Sequence, residues 1–344
     1  MSAALRILSA GPGATLQDGG RRGFLRFGVT GAGPMDPLAH ATANLAVGAA
    51  ANAAAIEVSL GGLELTAEGG SVTVAVAGGT FRLTLDDRGL PPATVVAVAP
   101  GARLSIRSGE SGAWCYVAVA GRIDITPTLG SLATHTRSHL GGLAGRALVR
   151  DDLLPIASAD MTDTAACALT APWLDRPGDV IRVVLGPQDD YFAPEQIAAF
   201  FDRSWTVTTR ADRMAYLLDG EPIGHGKGFN IVSDGIALGA IQVPGEGKPI
   251  VLMADRQPTG GYPKIATIIG TDLGRFAQLR PGATFRFVAA SLAEAVAARR
   301  AEQAALAGPI ALTPLVRTDL SSEFLLGLNL IDGVVSAGQP LALA

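Results

Sequence analysis

Cysteine is nearly missing from this chain: two occur in 344 residues, Cys115 and Cys167, each inside an apolar run. With no Cys-x-x-Cys pair there is neither a zinc frame nor a disulfide framework, and each thiol reads as a small buried hydrophobe. Excess positive charge is missing too. The net charge is -4, which leaves no basic footprint for nucleic acid. No apolar run suits a membrane-spanning helix, because Ala41 to Val58 is rich in Ala and Gly and carries Asn44, Asn52 and Glu57. Met1 to Ala10 is too short, and too soon broken by Gly11-Pro12-Gly13, for a signal peptide. A reducing cytoplasm is the expected setting.

Familiar catalytic signatures are absent as well. There is no G-x-x-x-x-G-K-[ST], although Gly224 to Gly228 and Gly245 to Pro249 contain lysine, and no strand followed by G-x-G-x-x-G. There is no G-x-S-x-G elbow. His40, His135, His139 and His225 show no H-E-x-x-H spacing. His135 and His139 are four apart, but Thr134, Thr136 and Gly141-Gly142 make a poor helix there and a weak metal frame.

What remains is apolar and finely punctuated. Hydrophobic residues make up 48% and charged ones 17%, enough for real cores, and the length suits two domains. The 43 glycines and 21 prolines break the chain into short apolar runs, the pattern of many short strands joined by turns. Strands are expected at Ala54–Leu60, Leu63–Ala67, Ser71–Ala77, Phe81–Leu85, Thr94–Val98, Arg103–Ile106 and Trp114–Val119. A second series is expected at Val180–Leu185, Trp205–Thr209, Met214–Leu218, Ile236–Val243, Ile250–Ala254, Ile265–Ile269 and Thr284–Val288. Asp36 before Pro37 signals a helix from Pro37 to about Val47, ended by Gly48. Short helices are also expected at Pro194–Phe201 and, on alanine content, at Leu292–Leu306.

Asp151 to Gly178, with its prolines, reads as an inter-domain connection. Pro100 to Ile106 echoes Pro281 to Phe287, each a turn feeding an alternating strand, as in a duplicated unit or as chance recurrence in a β protein. The expected division is residues 1–170, residues 171–308 and a tail at 309–344 that docks elsewhere.

Polar residues concentrate in four stretches: Thr15 to Gly23 with Gln17 and Asp18, Gly31 to Asp36 with Met35, Arg210 to Met214 with Asp212 and Arg213, and Asp255 to Lys264. The last is the most suggestive. An apolar run ends in Asp255-Arg256-Gln257, another restarts at Ile265, and Thr259, Gly260, Gly261, Tyr262 and Lys264 lie between. Gly260-Gly261 lets backbone N–H groups approach a ligand. Arg256 and Lys264 suit a carboxylate, carbonate or phosphate, and Tyr262 suits a developing oxyanion. The same stretch also reads as a solvated turn with an ordinary Asp–Arg pair. Ser233, Asp234 and Gln242 extend the pattern, with Asp-Gly first of all a turn signal. Glu57, inside an apolar run, must be paired or hydrogen-bonded, with Arg21 or Arg22 as the expected partner.

In this order, GPGATLQDGGRRG (11–23), GAGPMDP (31–37), AIEVSLGG (55–62), AVAGRID (118–124), GGLAGRA (141–147), GPQDDYF (186–192), DRMAYL (212–217) and ADRQPTGGYPKIAT (254–267) resemble one family. It is the second carboxyltransferase-like module of urea amidolyase, also called allophanate hydrolase subunit 2-like. Its members include the C subunit of 5-oxoprolinase and an antagonist of a histidine-kinase inhibitor. The resemblance covers residues 5 to about 290.

It implies a mainly β chain of two cyclophilin-like β-barrel domains with a few short helices. It further implies a component of an ATP-dependent 5-oxoprolinase, working with a smaller first-module partner (the B-like subunit) and a LamB/YcsF-like partner (the A-type subunit) on an amide or lactam substrate. ATP and Mg belong to the complex on that reading. The rivals are the carboxyltransferase part of a urea or amide carboxylase, using carboxybiotin, and a non-enzymatic regulator. The chain has no Met-Lys-Met biotinylation site and is too short for a biotin carboxylase. On the enzyme reading Asp255, Arg256, Tyr262, Lys264 and Asp212 carry the chemistry. Arg213, Ser233, Asp234, Gln242, Gln257, Thr259, Gly260, Gly261, Gln17, Asp18, Met35 and Asp36 hold the substrate.

Overall fold

The computed structural model describes residues 3–158 and 165–316. Alternating apolar residues give the chain strands with one buried face, and those faces gather into two cores. The first unit is a curled 12-stranded sheet. Its backbone is a pair of long strands, Val72–Leu85 and Leu104–Val119, which pair antiparallel and carry the other strands on their flanks. Leu5, Ile7, Leu16, Ile56, Val74 and Val117 are among its fully buried side chains.

The sequence splits each long strand in two, at Gly78-Gly79 and around Gly112. The structure shows why glycine is there without a turn. The two strands cross so closely, at an irregularity in register, that a Cβ on Gly112 would run into the Gly79 backbone.

The second unit is a closed barrel of seven strands: Val180–Leu185, Lys264–Ile268, Ala240–Gln242, Ile250–Leu252, Ala215–Asp219, Trp205–Ala211 and Thr284–Ala289. Its core is aromatic, with Phe200 stacked on Phe287 at 4.8 Å between ring centroids and Phe285 edge-on to Phe287 at 5.0 Å. The chain is therefore mainly β as expected, with closure in the second unit and curling in the first.

The echo between Pro100–Ile106 and Pro281–Phe287 is structural in one respect. Gly101 and Gly282 both hold left-handed backbone, φ 85° and 88°, at the turn before a strand.

The expected connection over 151–178 is shorter than the sequence suggests. Leu153–Ala157 pairs with the first strand, Ala4–Ala10, and Cys167–Thr170 pairs with Thr94–Val98. Both belong to the first sheet. Ile236–Val243 yields only the short strand Ala240–Gln242. A five-residue helix, Leu273–Ala277, has no counterpart in the sequence reading. Of the tail, Ala311–Pro314 extends the edge of the first sheet beside Cys167–Thr170, and 317–344 lies outside the described residues.

Helix Pro37–Ala46 starts where Asp36 caps it, its side chain accepting from the Ala39 N–H at 3.3 Å. It packs Ala39 and Ala43 against Ala55, Ala77, Tyr116 and Ala118 of the first sheet. The two units share apolar contacts: Met35, Ala113 and Trp114 belong by sequence to the first unit but pack with the barrel core.

Candidate functional site

Between the units lies a cleft of about 740 Å³. The first unit supplies Pro12-Gly13, Ser59 to Gly61, Trp114, Thr136, Arg137 and His139. The barrel supplies Ala211 to Met214, Tyr216, Asp255 and Leu279. Trp114 donates its indole N–H to the Tyr216 hydroxyl at 3.1 Å, and that hydroxyl donates to Ala277 O at 2.8 Å, so the aromatic wall is fixed. A mostly apolar cleft with a few converging polar groups is the usual form of a small-molecule site.

Arg213 crosses the base of this cleft. Its Nε and Nη2 donate to the two oxygens of Asp255 at 3.0 and 2.8 Å, Nη1 pairs with Glu57, and Nη2 also donates to Gly33 O at 2.8 Å. Glu57 accepts the Met35 N–H and the Tyr116 hydroxyl, both at 2.8 Å. All three charged residues are buried. Burial works against the Arg213 charge, but Asp255 and Glu57 outweigh it and hold the guanidinium above its ordinary range. Burial likewise pushes the Glu57 carboxyl up, against the pull of Arg213. The bidentate Asp255 pair is the principal ionic contact.

Glu57 is thus paired as its surroundings demand, but not with Arg21 or Arg22. Arg21 points its guanidinium at main-chain carbonyls of Thr128 and Ala133, and Arg22 is exposed. The true partner comes from the other unit, 156 residues away. Asp212, beside it, turns outward and accepts the Met214 and Ala215 N–H groups at 2.7 and 3.1 Å.

The Asp255–Lys264 stretch spans two places. Its start, Asp255, lies in the cleft. Its remainder folds over the 231–236 segment at the barrel. Thr259–Gly260 pairs with Asp234–Gly235. Arg256 donates to Ile236 O at 3.0 Å, with burial lowering its pKa. Lys264, only 3% exposed, donates to Asp234 at 2.7 Å and Gly235 O at 3.4 Å. The sequence reading reserves these two cations for an anionic ligand, whereas the structure gives each an internal partner. Gln242 is buried behind Gly260, and its amide reaches Tyr262 O at 3.5 Å. Ser233, Gln257 and Tyr262 are exposed, and Gly261 accepts the Ile231 N–H at 2.9 Å.

The four N-terminal candidates are also built into the fold. Gln17 is fully buried and ties Thr15, Thr134 O and the Gly33 N–H together. Asp18 accepts from the Gly20 N–H, the Ser131 hydroxyl and the Leu132 N–H. Met35 packs in the barrel core. Asp36 caps its helix and accepts from Arg176 at 2.6 Å and Gln278 at 2.9 Å, so it fastens the units together.

Arg137 and His139 on the cleft wall were not among the sequence candidates. The sequence signals only His139, through its spacing from His135, and gives no sign of Arg137. The structure separates that pair: His135 is buried with Nε2 3.4 Å from Asp255 O, and His139 is exposed on the cleft. Among the described residues no group of three His, Cys, Asp or Glu side chains is placed to hold a metal ion.

Fold and cleft define a class: paired β units with an inter-unit cleft over a buried ionic clamp. Residues 27–289 match the family model described as carboxyltransferase domain, subdomain A and B, and the chain belongs to that family. It is 37% identical over 300 residues to the C subunit of the 5-oxoprolinase of Escherichia coli strain K12, covering 87% of this chain and 95% of that one. The C subunit of the Haemophilus influenzae 5-oxoprolinase is 36% identical over 296 residues, covering 86% and 94%. The crystal structure of the Kluyveromyces lactis urea amidolyase superposes with a TM-score of 0.81 at 28% identity. The match takes in 88% of this chain but 20% of that enzyme, so this chain spans about a fifth of the fungal protein.

Proposed function

We propose that this chain is the C subunit of an ATP-dependent 5-oxoprolinase complex, which opens the cyclic amide of 5-oxoproline to glutamate. The observation that carries this reading is end-to-end correspondence. The chain covers 95% and 94% of two 5-oxoprolinase C subunits, whereas it covers only 16% of the yeast urea amidolyase. On this reading a smaller B-like partner and an A-type partner complete the enzyme. ATP and Mg act at the level of the complex, in the cytoplasm.

The cleft supplies what amide chemistry needs. A compact lactam fits between the Trp114–Tyr216 wall and the polar base. On this reading Asp255, held in one orientation by Arg213, accepts the amide N–H or takes its proton. Arg137 and His139 reach the cleft from the first unit, and on this reading a cation there offsets charge building on the carbonyl oxygen. The Arg256 and Lys264 contacts hold the 231–236 segment and so shape the barrel mouth from outside the cleft.

The test is reconstitution. Co-expressed with its two partner subunits, the chain should support ATP-dependent release of glutamate from 5-oxoproline. The purified chain alone should hydrolyse neither ATP nor 5-oxoproline at a useful rate. Robust turnover without partners overturns the proposed division of labour. A second reading, carboxyl transfer from carboxybiotin to a urea or amide, is favoured by the superposition on urea amidolyase. Carboxylated product in place of glutamate would establish it.

A further inference from the structure

The Arg21–Arg22 turn takes no part in the proposed amide chemistry, and it encloses a second cavity. About 390 Å³ is lined by Asp18, Gly19, Gly20, Arg21, Arg22, Asn52, Leu129 and Gly130, none of which lines the cleft. Arg21 is only 2% exposed. Its Nε donates to Thr128 O at 3.1 Å and its Nη2 to Ala133 O at 3.0 Å, while Nη1 is buried with no partner. Among the described residues no carboxylate forms a salt bridge with it. An arginine does not shed its proton to escape burial, so a buried guanidinium without a direct counter-ion calls for an anion.

The nearest carboxylate does not fill that role. Asp18 is saturated by the Gly20 and Leu132 N–H groups and the Ser131 hydroxyl. Its charge opposes the loss that burial imposes on Arg21, but the net effect still lowers the guanidinium pKa. Arg22 adds a second, exposed guanidinium with no salt bridge among the described residues. Two cations against one saturated carboxylate leave the cavity electropositive. Its walls are polar apart from Leu129, and no aromatic side chain lines it, so it offers no seat for a base, a ring or an acyl chain.

We infer that this turn binds a small phosphoryl oxyanion at a site separate from the inter-unit cleft, with the exposed Arg22 as its direct donor and the buried, uncompensated charge of Arg21 acting from behind the cavity wall. Two sources share that chemistry: free inorganic phosphate, and the terminal phosphoryl group of a larger ester.

Titration calorimetry of the full chain with inorganic phosphate, at constant ionic strength, tests it. Saturable binding is expected, with a rise in melting temperature that follows phosphate concentration. Arg22→Ala should weaken binding by about 10-fold or more, the loss of one charge-assisted contact, without lowering the melting temperature of the ligand-free chain. Arg21→Lys should also weaken it. If that variant fails to fold, the exposed Arg22 position still decides the matter. Glycerol phosphate, an ester without a base, binding no more tightly than phosphate assigns the free ion, whereas tighter binding that is lost in Arg22→Ala assigns an esterified phosphoryl group, and both support the site. Absence of phosphate binding, wild-type affinity in Arg22→Ala, or acetate binding as tightly as phosphate overturns it. None of these readouts depends on turnover, so the site fails or stands independently of the proposed enzyme activity.

Discussion

At the scale of single residues, the clearest pH effect belongs to His40. It sits on the Pro37–Ala46 helix, 2% exposed, with Nε2 3.1 Å from Gln17 O. Burial lowers its pKa from 6.5 to about 4. The unfolded chain therefore takes up a proton near pH 6.5 that the folded chain refuses until about pH 4. The stability contributed by neutral His40 is present above the unfolded value and is lost as pH falls through that window. The cost at the acid end is on the order of 3 kcal/mol. Thermal melts between pH 7 and pH 4.5 should show a steep decline in the wild type and a shallower one in His40→Gln. Parallel declines would place the acid sensitivity elsewhere. This histidine was legible in the sequence only as one of four. Nothing local in its helix says that it is sealed behind Gln17. Glu57 teaches the same lesson in sharper form. An acidic residue in an apolar run announces that it has a partner, but the run cannot say which arginine crosses from another unit to meet it.

Elements were largely legible where local chemistry decides them. Helix Leu292–Leu306 falls where alanine content puts it, and Ser291 and Glu294 close it with a reciprocal cap. Strands Thr94–Val98 and Val180–Leu185 match their apolar runs residue for residue. The failures are places where glycine serves a contact across the sheet and not a turn, since sequence alone does not distinguish the two uses. Gly112 holds φ 76° against the Gly79 backbone. Gly112→Ala should therefore cost about 2 kcal/mol or more, through both left-handed backbone and collision with main chain. Denaturant unfolding would read this directly, and wild-type stability would mean that the strands part easily there.

The Asp234–Gly235 and Thr259–Gly260 pairing is a second element-scale case. Lys264→Ala removes the ammonium that ties it to the barrel and leaves Asp234 unpaired. Amide exchange should speed up over 231–236 and 258–262 while the barrel core stays protected. In the reconstituted complex, a fall in activity of about 10²-fold with the exchange pattern unchanged would instead put Lys264 in the chemistry.

For the molecule as a whole, the decisive structure is the ionic clamp between the units. Arg213 belongs to the barrel, Glu57 and Gly33 O to the first unit, and Asp255 to the barrel edge of the cleft. The family resemblance gave the two-unit plan in advance, but the clamp depends on a juxtaposition across more than 150 residues, which no local pattern encodes. Removing one member of a buried charge network leaves the others desolvated and unpaired, typically at a cost of about 3–5 kcal/mol. Arg213→Ala leaves Glu57 and Asp255 buried without their shared cation; Glu57, already pushed up by burial, then takes up a proton, and the ionic link between the units is lost. Calorimetry of the wild type should give one transition, because neither unit can unfold without exposing that network. The variant should melt roughly 5 °C or more lower, and its trace should broaden or split as the barrel and the curled sheet unfold separately. Asp255→Asn is the control, since it keeps a neutral hydrogen-bonding partner for Arg213 and leaves only Glu57 to balance the charge. It should lose activity in the reconstituted complex with a smaller change in melting. A single transition at the wild-type temperature in Arg213→Ala would show that the remaining contacts between the units, the apolar packing of Met35, Ala113 and Trp114 together with the Asp36 and Gln278 hydrogen bonds, suffice to hold them, and that the clamp serves only to orient Asp255.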